Sequence, residues 1–151
     1  MTSTVIATEK DKTGADVTIS WAKKIGGSIV TPFFLRNYAA LIENGHSASF
    51  IFGTNNSKAV YAVIDNTVVG AIVYDTQEDT YKTAWIVLSC IDDNYRRRGI
   101  YMMLHKHFEN VVKNEGSKRL ASHVHVDNVI RQASCEAVGM KPDFLRMEKT
   151  L

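Results

Sequence analysis

The chain has 151 residues, of which 45% are hydrophobic and 23% charged, values typical of one ordinary globular domain with its own core. Its formal net charge of +2 argues against a general nucleic-acid binder. No apolar run approaches the roughly 20 residues that cross a bilayer, and the first ten residues lack the basic and apolar regions of a secretory signal. We therefore expect neither membrane association nor secretion.

The first third of the chain predicts one strand and one helix. Residues 1–14 are polar and are expected to form a loosely ordered N-terminal segment. Alternating polar and apolar residues over 16–21 predict a half-buried strand. Thr31-Pro32 is typical of an N-cap followed by a first-turn proline, and Asn44-Gly45 of a helix end. The apolar face of this helix is predicted to carry Phe34, Leu35, Tyr38, Leu41 and Ile42.

The middle third predicts a hairpin followed by a buried strand. A short apolar run over 50–52 does not show whether it forms a helix or a strand. Residues 58–64 and 67–74 are β-rich, and Asp65-Asn66 between them is typical of a tight turn. The continuous apolar run over 83–91 indicates a strand that is buried on both faces.

The last third predicts two helices and two strands. The first helix follows Gly99 and ends at Gly116; residues 120–126 then read as a strand. Asp127 or Asn128 can cap a second helix, which Gly139 would end, and residues 144–148 predict a closing strand. The apolar stripe of the first helix contains Ile100, Met103, Leu104, His107, Phe108 and Val111.

This order of elements predicts an α+β fold over residues 15–151. We expect a single domain with a mixed, mostly antiparallel sheet, a central parallel β-α-β crossover and flanking helices. Cys90 and Cys135 fall inside regular elements and have no metal or redox spacing, so two reduced thiols in a cytoplasmic protein are expected, and no metal.

A loop with three arginines and one glycine, residues 94–101, lies between the apolar strand and the first of these helices. Free backbone N–H groups and the helix dipole favour an anion at the start of a helix, and arginine adds charge and bidentate donors. Between Tyr95 and Arg119 there are seven Lys or Arg residues and two Glu residues. This local basic field in a nearly neutral protein indicates a small ligand that carries phosphate.

Two segments resemble the GNAT N-acetyltransferase superfamily. The loop Arg96-Arg97-Arg98-Gly99-Ile100-Tyr101 resembles the family's Gln/Arg-x-x-Gly-x-Gly/Ala motif. Asn128 followed by Glu136-Ala137-Val138-Gly139-Met140 is similar to the family's Asn-(x)n-Glu-x-x-Gly-Phe segment. The likeness covers residues 58–151 well and the first third only by the order of elements.

The resemblance implies an acetyltransferase (EC 2.3.1.-) that uses acetyl-CoA as acyl donor. A primary amine of a small molecule or a protein would attack the thioester directly, and a homodimer is possible because many relatives dimerise. Main-chain N–H groups of the loop would hold the pyrophosphate, and the end of the preceding strand would contact the pantetheine arm. The implied cofactor-binding residues are Ser89, Cys90, Ile91, Arg96, Arg97, Arg98, Gly99, Ile100, Tyr101 and Asn128.

Three positions depart from the family pattern. Tyr101 replaces a small residue, so its side chain must point away from the pyrophosphate. Trp85 stands where some relatives have a glutamate base, and Cys135 stands where many have a tyrosine that protonates the leaving thiolate. The candidate bases are His123 and His125, which strand alternation is expected to place on one face, or a water relay. His125 is preferred because it lies nearer the strand end. The alternatives are two ordinary strand histidines and a buried cysteine that acts as a small hydrophobe.

These departures leave a second function open. A chain that has kept the fold but lost its acid and base would be a non-catalytic acyl-CoA sensor or binding protein. An acetylating toxin that acts on charged tRNA fits the small size, but the modest net charge offers little surface for nucleic acid.

Overall fold

The computed structural model describes residues 3–45 and 55–151, so the apolar run at 50–52 lies outside the described residues. In these residues six strands and three helices form one α+β domain, as the sequence predicts. The elements are β1 (Ser3–Lys10), β2 (Asp16–Ala22), α1 (Val30–Glu43), β3 (Lys58–Ile64), β4 (Thr67–Thr76), β5 (Ala84–Ile91), α2 (Ile100–Asn114), β6 (Leu120–Ser122) and α3 (Val129–Ala137).

The six strands form one sheet in the order β1-β2-β3-β4-β5-β6. Neighbours are antiparallel except β5 and β6, which run parallel and are joined through α2. A parallel pair needs such a crossover because its strands cannot be joined by a tight turn. The mostly antiparallel sheet with one β-α-β crossover is therefore confirmed.

Each face of the sheet carries its own apolar core. Ile100, Leu104 and Phe108 of α2 pack with strand residues on one face, and Phe33 and Phe34 of α1 pack on the other. The predicted face of α1 was wrong in part, because Leu35 and Ile42 are exposed. None of the helices within 3–45 and 55–151 is long and apolar enough to cross a membrane.

Two backbone irregularities shape the sheet. Asp65 and Asn66 have φ of 47° and 60°, the left-handed geometry of a two-residue hairpin turn, so the predicted β3–β4 hairpin is confirmed. In β5, Leu88 lies opposite Val73 and Ile86 opposite Tyr74, which leaves Val87 as an extra bulged residue. The bulge reverses the alternation: Ile86 faces the α2 core, whereas Leu88 faces the α1 core.

Three sequence predictions were wrong at the ends of the sheet. Residues 3–10 of the predicted loose segment form β1, which pairs with β2 along its length. The predicted strand over 120–126 stops at Ser122. The predicted closing strand at 144–148 is not formed; Phe144, Leu145 and Met147 are more than 80% exposed. A three-residue edge strand offers too little backbone for a further strand to pair with.

Candidate active site

The arginine loop, defined here as Arg96–Gly99, connects a short 3-10 turn at Asp93–Tyr95 to α2. Arg97 and Gly99 have φ of 61° and 83°, so two left-handed residues flank Arg98. Among the described residues, the backbone N–H groups of 97–102 donate to no acceptor. Successive free N–H groups in such a loop form a concave site for an anion, and the dipole of α2 adds partial positive charge there.

The three arginines of this loop have different surroundings. Nε of Arg96 donates to the Ile91 carbonyl (3.2 Å), and its guanidinium pairs with Asp93 (3.0 Å). Arg98 turns away to bind Asp11 through Nε (2.6 Å). The exposed guanidinium of Arg97 has no partner within the described parts of the chain. Arg96 and Arg98 therefore fix the loop, and Arg97 alone keeps its side chain available to an anion.

An opening between β5 and β6 lies beside the loop. The parallel pairing ends at Ile86 and Ser122, immediately before the bulge, while β5 continues to Ile91. Asp92 N donates to Val69 O, so the main-chain groups of Asp92 point to β4. Main-chain groups alternate in direction along a strand, so those of Ser89 and Ile91 point away from β4, to the side of β5 where the opening lies. The opening thus offers the peptide donors and acceptors that the resemblance assigned to pantetheine.

Cys90 has the opposite orientation. Its position in the β4–β5 ladder directs its main-chain groups to β4, and its Sγ contacts Oδ1 of Asn37 in α1 (3.0 Å). Burial raises the pKa of this thiol. The structure therefore places Cys90 in the wall between β5 and α1, away from the opening where it was predicted to bind the cofactor.

Two further residues of the predicted set have partners in α3. The Tyr101 hydroxyl accepts from Nη1 of Arg131 (3.0 Å), so its ring is directed to α3. Oδ1 of Asn128 accepts from the Arg131 N–H (3.2 Å) and caps α3, as predicted for a helix start. The Tyr101 hydroxyl therefore connects α2 to α3, whereas the Asn128 side chain acts within the start of α3.

The candidate base His125 lies beyond the end of β6, in the turn before α3. Its Nδ1 accepts the Asp127 N–H (3.1 Å), and Oδ2 of Asp127 is 3.8 Å from the same nitrogen. His123 is instead stacked on Trp85, with ring centroids 4.9 Å apart. Burial, followed by the charge of Arg146, lowers the pKa of His123. Because the strand ends at Ser122, the expectation that both histidines share one strand face was wrong.

The candidate acid Cys135 is only 8% exposed and lies in α3. Its burial is compatible with either predicted role, proton donor or small core residue. The described segments contain no group of three or more His, Cys, Asp or Glu residues placed to hold a metal ion.

A residue outside the predicted set, Asp11, anchors the arginine loop. Its carboxylate is inaccessible to solvent and accepts from Thr13 N, Thr13 Oγ1, Ala15 N and Arg98 Nε. The hydrogen bond from Thr13, followed by that from Arg98, lowers the pKa of Asp11 from 3.8 to about 2. The segment Asp11-Lys12-Thr13-Gly14 has the composition of a turn, the signal that could have revealed this hairpin.

The lowered pKa of Asp11 predicts how the stability of the fold depends on pH. The folded-state pKa of Asp11 lies below its ordinary value, so the carboxylate stabilises the fold above that value, and this contribution is lost as the pH falls from 3.8 towards about 2. We expect Asp11→Asn to lower the Tm at about pH 7 and to differ less from the parent chain at about pH 3. Asp16→Asn, which removes an exposed carboxylate of the same hairpin, is the control. Equal melting of the parent and Asp11→Asn at neutral pH would contradict the assignment.

Comparisons with known proteins agree with this geometry. The model of the acetyltransferase (GNAT) family matches residues 29–140. None of the curated proteins matches the chain. An aminoglycoside acetyltransferase from an uncultured soil metagenomic sample, solved with trehalose, superposes with a TM-score of 0.68 at 16% identity, covering 89% of this chain and 96% of that one.

Two other solved structures are similar. A ribosomal-protein-alanine N-acetyltransferase from Brucella melitensis biovar Abortus 2308 has a TM-score of 0.66 at 12% identity, with 89% of this chain and 99% of that chain covered. An aminoglycoside N-acetyltransferase in complex with CoA has a TM-score of 0.57 at 16% identity, with 80% and 95% covered. At these identities the structures show a shared fold, and the family model covers most of the chain including the arginine loop. The chain belongs to the GNAT acetyltransferase family.

Proposed function

We propose that the protein is an N-acetyltransferase that moves the acetyl group of acetyl-CoA to a primary amine by direct attack. The observation that carries this proposal is the row of free N–H groups over 97–102, beside the opening between β5 and β6. A diphosphate is an anion that such a row can bind, and the adjacent opening suits an arm that carries amide groups. Family membership and a relative crystallised with CoA support acetyl-CoA as the donor.

The arginine loop, the opening beside it and the start of α3 each have a role in this proposal. The N–H groups of residues 97–101 and the Arg97 guanidinium hold the diphosphate. The outward N–H and C=O of Ser89 and the N–H of Ile91, whose carbonyl already accepts from Arg96 Nε, hold the pantetheine arm. Arg98 acts through its backbone N–H and by fixing the loop, Arg96 acts by fixing the loop, and Asn128 acts by capping α3.

The proton transfers are proposed for His125 and Cys135. Bound acetyl-CoA supplies an acetyl thioester. His125 would accept the proton of the amine at Nδ1, once the bond from Asp127 N opens, and the Asp127 carboxylate would then stabilise the imidazolium. Cys135 would protonate the departing thiolate.

The acceptor is proposed to be a small amine or an amine of a protein. Similar structures include acetyltransferases named for aminoglycosides and for the alanine of a ribosomal protein, which represent these two classes. A cytoplasmic location is consistent with two free cysteines. A homodimer is proposed because the exposed Phe144, Leu145 and Met147 form an apolar segment that a second copy could cover.

The test is release of free thiol from acetyl-CoA in the presence of an aminoglycoside, a polyamine or a peptide with an N-terminal alanine. We expect one of these amines to accelerate thiol release and to gain the mass of one acetyl group. The second candidate function, an acyl-CoA sensor, is favoured by Trp85, which cannot accept a proton. Tight CoA binding without amine-dependent thiol release would support the sensor and contradict the transferase.

The role of Cys135 has its own test. Cys135→Ala is expected to lower kcat about twofold to fivefold, well below the roughly 100-fold or larger effect of a dedicated acid, because water can replace the thiol. Cys135→Ser, which retains a proton donor, is expected to keep most of the rate. If kcat of Cys135→Ala equals that of the parent, Cys135 is a core residue.

A further inference from the structure

The turn between β1 and β2, residues 11–14, is attached to the arginine loop by three contacts. Lys12 N donates to the Arg98 carbonyl (3.0 Å), Arg98 Nε donates to Asp11 (2.6 Å), and Arg98 Nη2 donates to Thr13 Oγ1 (3.1 Å). The Arg98 guanidinium also lies over the Tyr95 ring, 4.9 Å from its centre. These contacts hold the turn, including Lys12, against the start of α2.

Three carboxylates lie beside the loop, and each is paired with an arginine. Asp93 pairs with Arg96 (3.0 Å), Asp92 with Arg36 (3.3 Å) and Asp11 with Arg98 (2.6 Å). All three carboxylates near the loop are thus neutralised by arginines. Within the described residues, the ammonium of Lys12 and the guanidinium of Arg97 are left without a counter-ion, and both side chains are exposed.

The Lys12 side chain runs along Gly99. A Cβ placed on Gly99 would lie 3.5 Å from Cε of Lys12, 3.7 Å from Cγ and 3.9 Å from Cδ. The ammonium, one bond beyond Cε, is therefore close to Gly99, the residue that precedes α2. Contact between the methylenes and a glycine leaves the charged end free to reach a ligand.

We propose that Lys12 is a diphosphate ligand, which the N-terminal hairpin contributes to the coenzyme site. The inference rests on the proposed function and adds a residue to it. Arg97 and Lys12 supply two positive charges beside the free N–H groups, which matches the two negative charges of a diphosphate. The Asp11–Arg98 ion pair is the positioning contact that keeps Lys12 there.

The test measures the Kd of CoA and of dephospho-CoA by calorimetry for the parent chain, Lys12→Gln and Lys12→Arg. We expect Lys12→Gln to weaken both coenzymes by about five- to tenfold, and Lys12→Arg to bind within about twofold of the parent. Added salt should reduce the difference between the parent and Lys12→Gln, because ions screen an exposed charge. Lys10→Gln, which removes an exposed lysine of the same hairpin that pairs with Asp16, is the matched control and should bind like the parent.

Three outcomes would overturn the inference. Unchanged Kd values for Lys12→Gln, with a parent chain that binds CoA, contradict the role of Lys12 and leave the proposed function intact. A loss seen with CoA but not with dephospho-CoA assigns Lys12 to the 3′-phosphate instead of the diphosphate. A parent chain that binds neither coenzyme contradicts the proposed function and, with it, this inference.

Discussion

Replacing Gly99 with tryptophan is expected to abolish coenzyme binding, with a Kd for CoA at least about 100-fold weaker than that of the parent chain. Gly99 has φ of 83°, a conformation that costs other residues about 1–2 kcal/mol. An indole at the first residue before α2 would also lie among the free N–H groups and displace Lys12. Loss of several hydrogen bonds to a charged ligand, each contributing about 1.5–3 kcal/mol, accounts for the size of the effect.

Two variants separate obstruction from backbone strain. Gly27→Trp places the same side chain on an exposed glycine with φ of 74° and open space around it, far along the chain from the arginine loop. It should bind CoA like the parent. Gly99→Ala adds only a Cβ at ordinary contact distance from Lys12 and should show an intermediate loss. A folded Gly99→Trp chain with unchanged CoA affinity would contradict the assignment of the loop.

His125→Gln is expected to lower kcat for acetyl transfer by about 100-fold while leaving the Kd of CoA within about twofold. General-base catalysis contributes on the order of 100-fold or more, and glutamine cannot accept the proton. Glutamine has a side-chain oxygen that can accept the Asp127 N–H in place of Nδ1, so the turn before α3 should be retained.

His123→Gln is the matched control for this prediction. His123 is the other candidate base from the sequence; in the structure its ring stacks on Trp85, and burial lowers its pKa. If His123→Gln loses most of its activity and His125→Gln keeps it, the roles of the two histidines are reversed. If both variants keep kcat, neither histidine is the base.

Local signals predicted the interior of the fold well. The turn at Asp65-Asn66 and the cap at Asn128 are set by neighbouring residues and are present in the structure. The stripe of α2 is present in part: Ile100, Leu104 and Phe108 are buried, but so are His105 and Val112, which were not predicted. The errors at the two ends of the chain have different causes. Residues 3–10, which include Val5-Ile6-Ala7, form an edge strand that pairs with β2 across the turn at 11–14, a local signal that was missed. Residues 144–148 have a strand pattern, but whether they form a strand depends on distant residues, and β6 offers them no long edge to join.

The sequence predicted where the main-chain groups of the candidate site lie better than it predicted the partners of its side chains. The motif located the row of N–H groups, since Gly99 and the start of α2 are adjacent in sequence. It could not show that Arg98 would bind Asp11, which is 87 residues away. Nor could it show the bulge at Val87, because an extra residue in a strand is defined only by the register of its neighbour.

Because the β1–β2 turn is attached to the arginine loop, a chain shortened at its N-terminus would lose part of the support for that loop. The family model begins at residue 29, so a fragment trimmed to its limits would lack Asp11, Lys12 and Thr13 while retaining both helices that cover the sheet. Arg98 would then lose its buried counter-ion and be free to swing. Such a fragment would have every residue of the recognised signature, yet its loop would be less well ordered for coenzyme, because part of the support for that loop is supplied by the first strands of the chain.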